Sequence, residues 1–192
     1  MFSWSDKFLT NIDILDIEHK NLFNLLATLT TKLQLRKIDD EDIESSISIL
    51  VHYSKNHLHH EELIMREYHI DYRHFSKHIM EHSSFRYDID RFKNNASSYD
   101  RRIIGQLEQI IRFITHWFTF HILSTDLVMA EQLALIKSGK DPREAYDNIK
   151  DNKTDPENFN LMLDSVINLW FDARDDCKRL EESLTKNIDN II

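Results

Sequence analysis

The chain has 192 residues, of which only 2 are glycine and 2 are proline, so it holds little of the material from which turns and hairpins are made. A chain of this length suits one domain with an extension, and helices with few connections are the natural fold. Its 24 basic and 33 acidic residues give a formal charge of −9, which makes nucleic acid and anionic membrane poor partners.

Nothing in the sequence indicates export or insertion into a membrane. No apolar stretch approaches the roughly 20 residues that span a bilayer, and the N-terminus lacks a basic start followed by an apolar run. Cys177 is the single cysteine, which argues against a secreted domain built on disulfides. The expected location is the cytoplasm.

Apolar residues recur with helical spacing in four long segments, which predicts four amphipathic helices. The predicted spans are about 13–36, 39–68, 72–93 and 101–137. Gly139 is a suitable stop for the last of them. Long helices with short links predict an all-α, antiparallel up-down-up-down four-helix bundle over residues 1–137.

A C-terminal helical extension is expected over residues 138–192. Helix starts with a capping residue and an early proline occur at 141–144 and at 154–157. From Leu163 to Leu184 the apolar residues alternate in spacing between three and four, as in a coiled-coil seam. The extension either pairs with a second copy or a signalling partner through residues 156–189, or packs back on the bundle as a fifth helix.

Histidines and carboxylates interrupt the stripes that should face the core of the bundle. Burying such groups without partners costs several kcal/mol each, whereas metal ions turn neutral imidazoles and ionised carboxylates into ligands. These inward residues are His19 on the first helix, His57 and Glu61 on the second, His78 and His82 on the third, and His121 and Asp126 on the fourth. They predict a pair of metal ions inside the bundle.

The composition of this ligand set narrows the metal and its chemistry. Five imidazoles and two carboxylates without a nearby cysteine suit iron, zinc or manganese. If both carboxylates bridge the two ions, five nitrogens remain to be shared three and two, so one ion keeps an open position for a small ligand. The other histidines are expected at the surface or as outer partners of the ligands, and Glu62 is expected to be solvated; those histidines are His52, His59, His60, His69, His74 and His116.

The ligand spacing resembles that of the hemerythrin family over residues 1–137. The matching pattern is His19, His57-x-x-x-Glu61, His78-x-x-x-His82 and His121-x4-Asp126. The resemblance implies two iron ions bridged by both carboxylates and by an oxo or hydroxo group, which bind O2 or, alternatively, NO. It places His78, His82 and His121 on the filled iron, and His19 and His57 on the open one.

The same resemblance points to residues beside the open iron. Trp117, Phe118, Phe23 and Leu26 are expected to form an apolar wall there. Many members of the family carry leucine directly after the tryptophan, where this chain has Phe118.

Three functions are consistent with such a site: storage or delivery of O2, sensing of O2 for a partner or output domain, and oxidase chemistry. Carboxylate-rich di-iron enzymes use paired Glu-x-x-His motifs, and no glutamate of this chain has a histidine three residues later. The oxidase is therefore disfavoured, and the seam in the extension favours the sensor.

The spacing between His121 and Asp126 predicts an irregular turn. Five residues of an ideal α-helix turn through about 500°, which leaves Asp126 about 140° away from His121. One extra residue in the turn would bring both to one face, together with Met129 and Leu133. We expect a π-type bulge between about Thr119 and Asp126; the alternative is a regular helix from whose edge Asp126 reaches sideways.

Overall fold

A computed structural model describes residues 4–34, 40–95, 102–150, 160–161 and 163–164, and these residues contain no β-strand. The helices are α1 (Asp13–Gln34), α2 (Asp40–Glu67), α3 (Tyr72–Asn95), α4 (Arg102–His121), α5 (Leu127–Lys137) and α6 (Pro142–Lys150). A short 3-10 helix, Asp6–Phe8, precedes them. The predicted all-α fold is confirmed. None of the helices described is both long enough and apolar enough to cross a membrane.

Helices α1 to α4 form a bundle in which α1 and α3 each contact both α2 and α4. Residues that meet across neighbouring helices show that the helices run antiparallel, because a later residue on one helix meets an earlier residue on the next. These pairs are His19 with His57 and Glu18 with His60 between α1 and α2, and His82 with His121 and Phe85 with Trp117 between α3 and α4. The predicted up-down-up-down bundle is confirmed.

Two apolar clusters fill the bundle, and a layer of buried polar residues lies between them. The larger cluster includes Leu22 of α1 and Phe118 of α4. The smaller includes Leu15 of α1 and Met129 of α5. His19 lies between Leu22 and Leu15 along α1, so the polar layer has apolar packing on both sides. Such surroundings strengthen electrostatic interactions within the layer.

A π-helical turn, Ile122–Asp126, joins α4 to α5, so that the two helices form one continuous helical segment. The amide N–H of Leu127 donates to the carbonyl oxygen of Ile122, a bond across five residues. This turn brings Asp126 and Met129 to the inner face, where both side chains are fully buried. The predicted π bulge is confirmed, and the regular helix is excluded.

Polar caps and a glycine set the ends of the remaining helices. Asp71 and Asp141 each accept the amide N–H two residues ahead at 2.9 Å, at the starts of α3 and α6. Gly139 has a φ of +97° directly after α5, and the amide of Lys140 donates to the carbonyl of Leu135. This is a Schellman ending, and it agrees with the predicted stop at Gly139.

Helix α6 packs on α5 and buries Ala145 and Ile149. Arg73 at the start of α3 also holds it, through an ion pair with Asp147 at 2.8 Å and a position 4.4 Å over the Tyr146 ring. The predicted helix start at 154–157 and the seam beyond Leu163 lie outside the described residues. Leu161 packs against the larger apolar cluster, whereas Leu163 is 45 % exposed.

Candidate metal centre

The structure brings the seven predicted ligands together in the polar layer, each with at most 1 % of its surface exposed. Their donor atoms form two groups, and within each group all of them lie within 4.8 Å of one another. One group consists of Glu61, His78, His82 and His121, and the other of His19, His57, Glu61 and Asp126. Glu61 is common to both groups.

The two carboxylate oxygens of Glu61 face different histidines. Oε2 lies 2.9 Å from Nε2 of His82 and 3.3 Å from Nε2 of His78. Oε1 lies 3.2 Å from Nε2 of His57 and 3.9 Å from Nε2 of His19. A carboxylate with one oxygen in each of two donor groups has the arrangement of a bridging ligand.

Asp126 spans the same two groups from the other side. Its Oδ1 lies 3.2 Å from Nε2 of His121 and 3.3 Å from Nε2 of His78. Its Oδ2 lies 3.5 Å from Nε2 of His19. The π turn is what makes this possible, since it lets Asp126 point to the same side as His121.

The donor atoms need cations to balance them. Oε1 of Glu61 and both carboxylate oxygens of Asp126 are buried without a hydrogen-bond partner among the described residues, which is costly for ionised groups. Imidazole nitrogens also face each other, with 3.1 Å between Nε2 of His19 and Nε2 of His57. Two metal ions would satisfy all these atoms at once, so the residues fit a di-metal site.

The protein alone already holds the carboxylates ionised. Burial by itself lowers the pKa of His57, but the charge of Glu61 and the hydrogen bond to Glu18 outweigh it and raise this pKa to about 9. Burial and the neighbouring charge of Glu61 act to raise the pKa of Asp126, but the charge of His121 and the close contacts of Oδ1 with His121 and His78 outweigh them, so this pKa lies below its ordinary value. Burial acts to raise the pKa of Glu61 as well, but the charge of His57 and the surrounding histidines hold it well below its ordinary value. Both carboxylates are therefore anions, the form that could bind metal ions.

Four of the five histidines have an outer partner on Nδ1, which leaves Nε2 for the interior. These contacts join His57 to Glu18 at 2.8 Å, His121 to Glu81 at 2.9 Å, His82 to Glu62 at 3.3 Å and His78 to His74 at 3.2 Å. Such partners fix the ring orientation and tune the nitrogen as a ligand. Nδ1 of His19 has no such partner in the described part of the chain.

The outer carboxylates reach across to neighbouring helices. Glu18 of α1 accepts hydrogen bonds from His57 and from His60 of α2. Glu81 of α3 accepts a hydrogen bond from His121 of α4. Burial acts to raise the pKa of Glu81, but this hydrogen bond outweighs it and lowers the pKa to about 2. Neither glutamate was predicted. The signal in the sequence is that each stands directly before a ligand histidine, on the flank of its helix.

One sequence interpretation is wrong. Glu62 is not solvated: its side chain is 13 % exposed, and it contacts His82 and forms an ion pair with Arg86. For His74 the sequence left open the surface or a role as an outer partner, and the structure shows the latter, since it is 3 % exposed and lies one turn before His78, which it contacts. Both residues contact predicted ligands instead of facing water.

Two of the four residues predicted for the apolar wall, Phe118 and Phe23, pack together at the two-histidine group. The Phe118 ring centroid is 5.1 Å from that of His19 and 5.5 Å from that of Phe23. Leu26 is buried in the same apolar cluster as both phenylalanines. The His19 side of the centre is therefore lined by buried apolar side chains.

Trp117 departs from the expectation, because it stacks on His121 at 4.3 Å and on Phe85 at 4.1 Å, beside the three-histidine group. Consecutive residues of a helix point about 100° apart, so Trp117 and Phe118 face different sides of the centre. Tyr53, which the sequence did not single out, stacks on His57 at 4.7 Å and meets Phe118 edge-on at 5.8 Å.

The geometry defines the class of protein: a four-helix bundle with a buried site for two metal ions. Residues 10–133 match the family model described as the hemerythrin HHE cation binding domain. This match covers more than half of the chain, so the chain belongs to the hemerythrin family. It is similar to the bacteriohemerythrin of Clostridium acetobutylicum, with 29 % identity over 130 residues that cover 66 % of this chain and 96 % of that protein. No solved structure matches it significantly.

Proposed function

We propose that the protein binds O2 reversibly at a centre of two iron ions. The observation that carries this proposal is the unequal division of histidines, with three beside one end of Glu61 and two beside the other. Two imidazoles and two carboxylate oxygens do not fill the coordination of an iron ion, so the His19–His57 side keeps a position for a small ligand. Iron is inferred from the family and from a donor set without thiolate.

In this proposal each residue of the chain has a defined role. His78, His82 and His121 hold the filled iron, and His19 and His57 hold the open one. Glu61 and Asp126 would hold both irons, because each carboxylate has oxygens beside both histidine groups. When bound, the irons supply the electrons that O2 takes up, while Phe118, Phe23 and Leu26 keep water away from the open position.

The nitrogen-rich donor set supports reversible binding over oxidase chemistry. Five imidazoles and only two carboxylates stabilise the lower oxidation state of the metal more than carboxylate-rich sites do. The test is to load the full chain with iron, reduce it without air and then expose it to O2. We expect two irons per chain and an absorption band that appears with O2 and disappears when O2 is removed. Irreversible oxidation with release of reduced oxygen would contradict the proposal.

A second candidate is an O2 or NO sensor, in which the state of the centre is passed to the C-terminal extension. The observation that favours it is the outer partner His74, which contacts the predicted ligand His78 and also lies 6.4 Å, ring to ring, from Tyr146 of α6. Hydrogen exchange of the amides in α6 should then differ between the reduced and O2-bound protein. Unchanged exchange in α6 would favour a carrier without a signalling role.

For the sensor we further propose that residues 156–189 are the interface with a second copy or a signalling partner. The seam in the sequence supports this, as does the exposure of its first residue, Leu163. Light scattering should give a dimer for the full chain and a monomer after deletion of 156–189. Oxidation should then crosslink Cys177 to its symmetry mate. A monomeric full chain would show that the extension packs on its own bundle.

A further inference from the structure

The hydroxyl of Tyr53 is a buried hydrogen-bond donor for which the described residues offer no partner. The residue as a whole is only half-buried, whereas its hydroxyl oxygen is buried, so the hydroxyl is not the part of the residue that reaches the surface. An unpaired buried donor costs about 1–3 kcal/mol. Such a cost suggests that an acceptor is bound there when the protein functions.

The position of the ring places Tyr53 on the two-histidine side of the centre. Tyr53 is one turn before His57 on α2, and the two rings are stacked with only 19° between their planes. The ring also meets Phe118, whose own ring lies 5.1 Å from that of His19, so the side chain of Tyr53 borders the two-histidine group. The side chain of Phe118 has no polar atom to offer.

The metal ions would not satisfy this hydroxyl as they would satisfy the carboxylates. A phenol has an ordinary pKa of about 10, so it is protonated at neutral pH and donates a hydrogen bond. Because the described residues offer this hydroxyl no partner, we assign it the ligand at the open position as its acceptor.

We propose that Tyr53 donates a hydrogen bond to the small ligand bound on the His19–His57 side, and so selects ligands that are anionic or gain negative charge on binding. O2 and azide belong to this class, whereas NO gains less charge and benefits less. The inference rests on the proposed function, since it needs an open position at that side. It makes Tyr53 a specificity-determining residue of this chain.

The test is azide binding to the oxidised, iron-loaded full chain, followed by visible absorption. Tyr53→Phe removes only the hydroxyl, and Tyr72→Phe is the matched control because Tyr72 is 78 % exposed at the start of α3. We expect both variants to keep two irons per chain. The Kd for azide should rise about tenfold in Tyr53→Phe, as for one lost hydrogen bond to a charged group, and stay unchanged in Tyr72→Phe. The Kd for NO, measured on the reduced protein, should change much less.

Each outcome decides the matter. Equal azide affinity in wild type and Tyr53→Phe overturns the inference and leaves the proposed function intact. No azide binding by the iron-loaded wild type overturns both, because no open position then exists. If Tyr53→Phe loses the same factor of affinity for azide and for NO, Tyr53 has a structural role and selection by charge is overturned. If Tyr53→Phe loses iron, the inference is tested on the wild type by infrared spectroscopy of bound azide. We expect the azide stretch to shift between H2O and D2O, because the hydrogen bond carries an exchangeable proton. No shift overturns the inference.

Discussion

Glu81 stands directly before His82 on α3, yet its carboxylate accepts the Nδ1 hydrogen bond of His121 on α4 at 2.9 Å. The same carboxylate oxygen accepts a hydrogen bond from the hydroxyl of Thr125, also at 2.9 Å, inside the π turn. One side chain of α3 thereby holds both a predicted ligand and the turn that carries Asp126. This contact joins α3 to α4 and to the π turn beside the predicted metal centre.

Replacing Glu81 should therefore weaken metal binding although Glu81 is not itself a predicted ligand. For Glu81→Ala we expect iron affinity to fall by about 10- to 100-fold, as is typical for loss of an outer partner of a histidine ligand. Glu81→Gln keeps a hydrogen-bond acceptor without the charge, so its iron affinity should lie between those of wild type and Glu81→Ala. Iron retention against a competing chelator measures this, with the exposed Glu67→Ala as control. Equal retention in all four proteins would contradict it.

The three-histidine group should fail when one of its members is removed. In His78→Ala the oxygens of Glu61 and Asp126 that lie 3.3 Å from Nε2 lose a neighbour. We expect less than one iron per chain and a lower melting temperature, because unpaired carboxylates remain buried. The control is His59→Ala, at an exposed position of the adjacent helix. Two irons per chain in His78→Ala, by metal analysis, would refute the assignment of His78.

The wall at the two-histidine side should control the lifetime of bound O2. Phe118→Ala opens space 5.1 Å from His19, so solvent reaches the open position and we expect several-fold faster autoxidation. Phe85→Ala is the matched control, because Phe85 is equally buried in the core but packs on Trp117, beside the other group. The decay of the absorption of the O2-bound protein in air measures both rates. Similar rates for the two variants would mean that general loosening of the core is the cause.

Periodicity predicted the buried polar layer because the candidate ligands stand at inward positions that packing alone would fill with apolar residues. His19 between Leu15 and Leu22 is the clearest example. The same reasoning predicted the π turn, since only an extra residue brings His121 and Asp126 to one face.

What the sequence could not predict depends on how neighbouring helices are rotated against each other. Glu18 and Glu81 stand off the inner stripes of their own helices and act on histidines of the next helix. Trp117 and Phe118 are adjacent in sequence but divide between the two histidine groups. Only the packed bundle fixes such contacts, because they depend on angles between helices that no spacing within one helix records.

Stability at acid pH should reveal the cap of α3. The hydrogen bond from Arg73 lowers the pKa of Asp71 below its ordinary value. A carboxyl with a lowered folded pKa stabilises the fold above its unfolded pKa of about 3.9, and that contribution is lost as the pH falls through the folded value. We expect Asp71→Ala to cost about 1 kcal/mol at pH 7.

The difference in free energy of unfolding between wild type and Asp71→Ala should shrink as the pH is lowered towards 2. Asp71→Asn separates the two contributions of this residue, since it keeps the cap without the charge. It should lie closer to wild type than Asp71→Ala at pH 7, and its difference from wild type should approach zero on acidification, whereas Asp71→Ala keeps the loss of the cap. Denaturant unfolding at several pH values measures this. A difference that grows towards low pH would contradict the sign of the pKa shift.

The π turn can be tested by changing the chain length within it. In the wild type the inner residues His121, Asp126, Met129 and Leu133 are spaced five, three and four apart. Deleting Ser124 gives spacings of four, three and four, which an ordinary α-helix places on one face. Inserting alanine after Ser124 gives six, three and four, and six residues of an α-helix turn through about 600°, which leaves the carboxylate about 120° from His121.

We therefore expect the deletion variant to keep two irons per chain and the insertion variant to lose them. The deletion also shifts Thr125 relative to His121, so the hydrogen bond from Thr125 to Glu81 should weaken. Iron should then be removed by a chelator faster than from wild type, although it is bound at the start. Metal analysis with and without the chelator separates these effects. Loss of iron on deletion would show that the centre needs the π geometry itself, because the α-helical face alone would then be insufficient to place Asp126.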